Sequence, residues 1–265
     1  MNTEIRNIEE LTINAFPALH TEIYDGWILR FSNGYTYRAN CICPIYSSDI
    51  SLSEKIHHCE NKYLSKGISP IFKITSDTDG EIDKILEGKG YIKIKTVNLM
   101  YRLLETMPIG DIEGMEINNC IDDEWLDASV RLGGMQKVDL KETHCKILKN
   151  IASNLACVKA KKNGVIIGCG LGIIDNGFVG LYDIHVDENN RRKGIGLNIC
   201  KSILKAGMEN GADKAYLQVH SLNNKAINMY LKLGFSTFYN YWFREKKYEN
   251  TKRLLMGDYL SLIIF

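Results

Sequence analysis

The sequence predicts an α+β fold: a mixed, mostly antiparallel sheet flanked by helices, with one plan stated twice in tandem. Three observations predict it. Short apolar runs bounded by Asn-Gly turns alternate with stretches whose apolar residues fall at helical spacing. Glycine signals recur in order at a near-constant offset. Gly67 and Gly211 each close a helix before a strand, as do Gly90 and Gly234, and both pairs lie 144 residues apart (67 to 211, 90 to 234). Asn33-Gly34-Tyr35 and Asn176-Gly177-Phe178 lie 143 apart (33 to 176). Third, the apolar strand Leu181–Val186 runs through a polar turn into a basic, glycine-spaced loop, with a helix behind it.

In the first half, Tyr24 to Phe31 leads to the hairpin signal Ser32-Asn33-Gly34, and Tyr35 to Ile42 reads as the returning strand. Glu54 to Lys66 reads as a helix with Ile56, His58, Cys59 and Tyr63 inward, capped by Gly67. Ile71–Thr75 is a strand. Asp79–Glu87 is a helix with Ile82, Ile85 and Leu86 inward, and Tyr91–Leu104 is a long strand.

In the second half, Met115–Asn118 is a strand, and Asp122–Arg131 and Leu140–Ile151 are helices. Ala156–Lys161, Val165–Ile174 and Phe178–Val186 form a three-strand meander around the turns Lys162-Asn163-Gly164 and Asp175-Asn176-Gly177. After the basic loop, Ile199, Cys200, Ile203, Leu204, Gly207 and Met208 form one helical stripe. Ala215–Val219, Asn223–Leu233 and Phe235–Arg244 complete the plan as strand, helix and strand. The division expected is a degenerate copy over 1–108 and a complete copy over 109–265. Ser47, Ser48, Asp49 and Ile50 stand where the basic loop stands in the second copy, and Leu86 stands where Tyr230 stands.

Composition narrows the function. Of 265 residues, 45% are apolar and 25% charged, as in an ordinary soluble globular protein. A net charge of +1 argues against a broad nucleic-acid or membrane surface. No long uncharged apolar run exists, and Met1-Asn2-Thr3-Glu4 does not open a signal peptide, so a cytoplasmic protein is expected. Eight cysteines without Cys-x-x-Cys spacing read as reduced core residues, and no metal site is expected. The apolar tail Leu254–Phe265 is too short to span a membrane; it suits the core, the sheet edge or a second subunit, in a monomer or homodimer.

The loop Arg191-Arg192-Lys193-Gly194-Ile195-Gly196 carries the chemistry. The first turn of a helix presents N–H groups without intrahelical partners and the positive end of the helix dipole. An anion docked there satisfies both. Gly194 and Gly196 let phosphate oxygens approach the backbone, and three cations sit alongside. Gly-x-Gly-x-x-Gly is absent, and so is the P-loop pattern.

Arg-x-x-Gly-x-Gly after a strand resembles the acyl-coenzyme A loop of the GNAT N-acetyltransferases. The segment Asn223…Ala226…Tyr230-Leu231-Lys232-Leu233-Gly234-Phe235 is similar to that family's second motif. The resemblance covers roughly residues 112–245 and implies a GNAT-like sheet. Tyr24-Asp25-Gly26-Trp27 is similar to an amino-terminal GNAT-like domain fused to some bacterial members. The resemblance implies acetyl-coenzyme A as co-substrate and direct transfer to an amine of a small molecule or peptide. It places pantetheine along Ile184, His185 and Val186, and the pyrophosphate on the amides of Arg192, Lys193, Gly194, Ile195, Gly196 and Leu197, with Arg191 at the motif's first position. It gives Asn223 a contact to the pantetheine arm and Tyr230 a place near the thioester sulfur as catalytic acid.

From the residues alone, Tyr230 is equally a core aromatic, and Asn223 a helix cap. For the general base, Asp183 and His185 alternate to one face of their strand, opposite Tyr182 and Ile184, unless a bulge intervenes. His220 is a third candidate, and Glu124 and Asp127 are candidate attractors of a cationic acceptor. Two further readings stand beside the enzyme: a non-catalytic acyl-coenzyme A sensor, and a protein-interaction module.

Overall fold

The computed structural model describes residues 2–78, 80–104, 112, 114–135 and 137–248. The boundary expected at 108/109 and the tail from Leu254 lie outside the described residues. By contacts, residues up to 97, 142–150 and 239–248 form one compact unit, and 98–141 with 151–238 form another.

The first unit opens with a helix not anticipated from sequence, α1 (Thr3–Ala15), whose N-cap Asn2 accepts from the Glu4 N–H at 2.8 Å. Next come β1 (His20–Tyr24) and β2 (Trp27–Phe31), a hairpin closed by Asp25 and Gly26 at φ +40° and +77°. The run Tyr24–Phe31 is therefore two strands and a tight turn. Then follow β3 (Ile42–Pro44), α2 (Leu52–Ser65), β4 (Ile71–Thr75), α3 (Gly80–Gly88) and the first half of β5 (Ile92–Leu103), which from residue 98 belongs to the second unit.

The returning strand expected over Tyr35–Ile42 is a loop, and only Ile42–Pro44 joins the sheet. The buried Asn40 side chain replaces the ladder. Its Oδ1 accepts from Ser32 N–H (2.7 Å) and Gly34 N–H (3.0 Å), and its Nδ2 donates to the Thr36 carbonyl (2.8 Å). Buried backbone groups need partners, and a side chain serves where a strand is absent. Ile56, Cys59 and Tyr63 are fully buried in α2, but His58 is exposed, its ring stacked on Tyr24 at 3.8 Å.

The second unit holds β6 (Met115–Asn118), α4 (Asp123–Leu132), the start of α5 (Val138–Lys149), β7 (Asn154–Lys162), β8 (Val165–Asp175) and β9 (Phe178–Val186). After these come α6 (Ile195–Glu209), β10 (Lys214–His220), α7 (Asn224–Lys232) and β11 (Ser236–Glu245). From residue 239, β11 belongs to the first unit and pairs antiparallel with β4.

The two strand plans match. In the first, β1-β2-β3 run antiparallel and β4 lies parallel to β3; in the second, β7-β8-β9 run antiparallel and β10 lies parallel to β9. Within each unit the strand pairing is mixed, with antiparallel pairs in the majority among the described residues. Each unit has its own core, Trp27, Leu29, Phe31, Tyr63 and Phe72 in the first, and Val158, Ile199, Ile203, Leu204 and Phe235 in the second. Among the described residues, no helix is long and apolar enough to cross a membrane, and no group of three His, Cys, Asp or Glu is placed to hold a metal. All eight cysteines are free, six of them buried.

Candidate active site

The site grows from a stripe of glycines. On β8, a Cβ at Gly168, Gly170 or Gly172 would stand 3.0, 2.4 and 2.7 Å from Ile199, Ile199 and Ile203. Only a strand without side chains there lets α6 lie this close.

β9 pairs regularly with β8 as far as Leu171↔Tyr182, then slips to Cys169↔His185 and Gly168↔Val186. Asp183 sits in the slip at φ +47°, so the strand carries a bulge. Cys169 and Leu171 share a face, so Tyr182 and His185 share it too. The alternation expected to set Tyr182 opposite His185 is thus corrected by the extra residue. Ile184 and Val186 turn the other way, toward α6, and line a cavity there. On its far edge, β9 pairs with β10 only as far as Leu181↔Leu217, and beyond it the two strands part.

The loop that follows is self-supporting. Asp187 accepts from Asn189 N–H (3.1 Å) and Asn190 Nδ2 (3.0 Å) across the turn Glu188–Asn190. Lys193 folds back to donate to the Asn189 carbonyl (2.8 Å). Arg191 donates to the Val186 carbonyl (3.2 Å) and meets Glu188 at 3.4 Å. Those two cations therefore build the loop. Arg192, at φ +61°, is exposed, and its side chain makes no ion pair or hydrogen bond among the described residues.

Gly194, at φ +82°, is the N-cap of α6 and offers no side chain to cap it. The first helical bond is Asn198 N–H to the Gly194 carbonyl at 3.0 Å. The amides of Arg192 to Leu197 find no protein acceptor among the described residues. Arg192 and Gly194 to Leu197 edge a cavity of about 770 Å³, whose opposite wall is α7 with Lys225, Asn228, Met229 and Lys232. A Cβ on Gly196 would project between Met229 Sδ (3.5 Å) and Val186 Cγ2 (3.6 Å), so the missing side chain keeps the cavity wide. Neither Lys225 nor Lys232 has an ion-pair partner among the described residues. Asn223 caps α7 through Oδ1, accepting from Ala226 N–H at 3.1 Å, while its Nδ2 is buried and finds no acceptor. Unmet donors, free cations and a cleft kept open by glycine fit a long ligand bearing phosphates and amides.

Residues 2–243 match the family model described as "Probable histone acetyltransferase Rv0428c C-terminal". The chain belongs to that family. It is a GNAT-type N-acetyltransferase. It is 25% identical over 248 residues to "Uncharacterized N-acetyltransferase YobR" of Bacillus subtilis strain 168, covering 92% of this chain and 99% of that protein. A GCN5-related N-acetyltransferase from Kribbella flavida shares its fold, with TM-score 0.70, 11% identity and coverage of 92% and 95% of the two chains. So does a tandem GNAT protein from the clavulanic acid biosynthesis pathway, with TM-score 0.58, 10% identity and coverage of 90% and 87%.

The other candidate residues of the acetyltransferase, Tyr230, Asp183, His185 and His220 among them, do not line this cavity. Tyr230 is buried behind Ala226 and Met229, edge-on to Phe235 at 6.1 Å, and does not itself line the cavity. Its hydroxyl makes no hydrogen bond among the described residues, and burial pushes its pKa well above the phenol range. His185 is buried, with its ring beside Gly133 at the end of α4; a Cβ on Gly133 would meet Nε2 at 3.4 Å. Burial, and then the Asp183 charge, push the neighbouring Cys169 thiol up. His220 accepts from Leu222 N–H through Nδ1 at 3.2 Å.

Glu124 does not stand free for a cationic acceptor. It pairs with Lys159 (2.8 Å) and Lys161 (3.0 Å), and Asp122 also holds Lys159 (2.7 Å). Asp127 is exposed on α4. Sequence reasoning missed the wall of α7. Lys225, Asn228 and Lys232 follow one helical face, and that spacing was its signal.

Proposed function

We propose that this acetyltransferase takes the acetyl group of acetyl-coenzyme A and passes it to a primary amine by direct attack in a ternary complex. The observation that carries the reading is the row of six unmet amides opening α6, beside strands that part. Bound there, acetyl-coenzyme A supplies the acyl group already activated as a thioester. The amides of residues 192–197 hold the diphosphate, with Arg192, Lys225 and Lys232 adding charge. Asn223 Nδ2 donates to an amide carbonyl of the pantetheine arm, which removes its burial cost.

The chain's remaining work is proton handling. A main-chain N–H where β9 leaves β10, near Val186, polarises the reacting carbonyl. Tyr230 holds its proton throughout the neutral range, because burial disfavours phenolate, and it steadies the departing thiolate by donating a hydrogen bond from that O–H. Asp183, set at the bulge, accepts the proton of the attacking amine. Holding amine and acyl carbon together contributes much of the rate.

The test is coenzyme A release with a panel of amines, run beside calorimetric binding of acetyl-coenzyme A. Saturable turnover with at least one amine supports the reading. Tight binding with no amine raising release above hydrolysis overturns it in favour of a sensor.

A further inference from the structure

The loop that enters α2 in the first unit stands where the basic loop stands before α6, but two of its amides, those of Asp49 and Ile50, are already occupied. Asp25, at the tip of the β1–β2 hairpin, sends its carboxylate onto them. Oδ2 accepts from Ile50 N–H (3.0 Å) and Ser48 Oγ–H (2.7 Å), and both oxygens accept from Asp49 N–H (3.2 Å). The Lys55 ammonium, fully buried, meets the same carboxylate at 3.0 Å, donates to Ser48 Oγ at 2.6 Å and lies 4.4 Å from the Trp27 ring centre. Ser51 caps the next turn by accepting from Glu54 N–H.

Two backbone amides, a hydroxyl and an ammonium converging on one carboxylate make a complete oxyanion site. These residues stand where Arg191 to Gly194 stand in the second copy. We propose that Asp25 is a built-in anion occupying the phosphate position of the first copy's cradle, and that removing its carboxylate opens a second site for diphosphate.

Two details favour an internal ligand over an ordinary turn. The hairpin is short enough to reach, since Tyr24↔Trp27 is its last pair, and Gly26 allows the approach: a Cβ there would stand 2.3 Å from the Ser47 carbonyl. In addition, Lys55 occupies the helix position of Ile199, so the first copy has traded an apolar contact for a counter-ion to Asp25. The hydrogen bond from Ser48 foremost, and then that from Ile50, hold the Asp25 carboxyl far below the usual carboxylate range.

The experiment titrates inorganic pyrophosphate into the full-length chain, following stoichiometry by calorimetry and Tm by melting. It compares wild type, Asp25→Ala, and Asp25→Ala/Lys55→Met, the last because an unpaired buried ammonium can itself prevent folding. The expected result is one more equivalent bound by a variant than by wild type, with a variant Tm that pyrophosphate raises further than it raises the wild-type Tm. Equal stoichiometry and equal Tm response in wild type and both variants overturn the proposal, as do variants that stay unfolded at saturating pyrophosphate. The readout is a difference, so loss of wild-type binding would instead count against the donor site at α6.

Discussion

The two copies share a strand plan and differ in what meets the helix behind it. On β8 the residues facing α6 are Gly168, Gly170 and Gly172, and the helix lies against bare backbone. On β2, Trp27 pairs with Pro44, the last residue of β3, as Gly168 pairs with Val186, the last residue of β9. The residues alternating from it, Leu29 and Phe31, are buried side chains, and Trp27 has 2% of its surface exposed. One copy fills its interior with large side chains and sets the Asp25 carboxylate on the amides of Asp49 and Ile50 ahead of its helix. The other thins its interior and leaves the amides of residues 192–197 without partners among the described residues. The two loops thus differ in what they contribute to the fold, because a donor met by the chain adds to stability and a buried donor left unmet costs it.

Opposite substitutions break this contrast. Leu29→Ala removes a fully buried side chain and is expected to cost about 2–5 kcal/mol, read as a lower denaturation midpoint. Tyr230→Phe is expected to lower kcat by about 100-fold with donor affinity nearly unchanged, whereas Leu86→Met, at the matching position of the first copy, leaves kcat alone; steady-state kinetics check both. Gly170→Ala adds one methyl 2.4 Å from Ile199 Cγ2 and is expected to destabilise by about 1–3 kcal/mol through overpacking.

Much of this fold was legible from the residues. Ile71–Thr75, Met115–Asn118 and Phe178–Val186 fall where their apolar patterns end in turn signals. The glycines closing helices at 67, 90, 211 and 234 all adopt positive φ, which their spacing announced. What pattern could not show was tertiary. Asn40 replaces a strand with side-chain hydrogen bonds, and no periodicity records that. The polar turn Asp25-Gly26 interrupts a mostly apolar run, and its importance lies in what Asp25 touches. In the candidate site, the loop's glycines marked a candidate cradle, but which cations are engaged by the protein itself did not follow from sequence. Arg191 and Lys193 brace the turn, while Lys225 and Lys232 come from a helix thirty residues or more downstream.

Smaller effects sharpen the comparison. Lys225→Ala and Lys232→Ala are each expected to weaken acetyl-coenzyme A binding by about 0.5–1 kcal/mol, with the loss shrinking at high salt, as calorimetry at two ionic strengths would show. The smallest effect is acid sensitivity. The folded carboxyl of Asp25 lies below its unfolded value, so its stabilisation is present above the unfolded pKa and fades as pH falls toward the folded one. Wild type should therefore lose more Tm than Asp25→Asn on going from about pH 5 to pH 2.

The most direct measurement follows backbone amide resonances while acetyl-coenzyme A is added. The account predicts large shifts and slowed exchange at residues 192–197, with the amides of Asp49 and Ile50 unmoved. Amides at 192–197 that stay unchanged at saturating donor would contradict it.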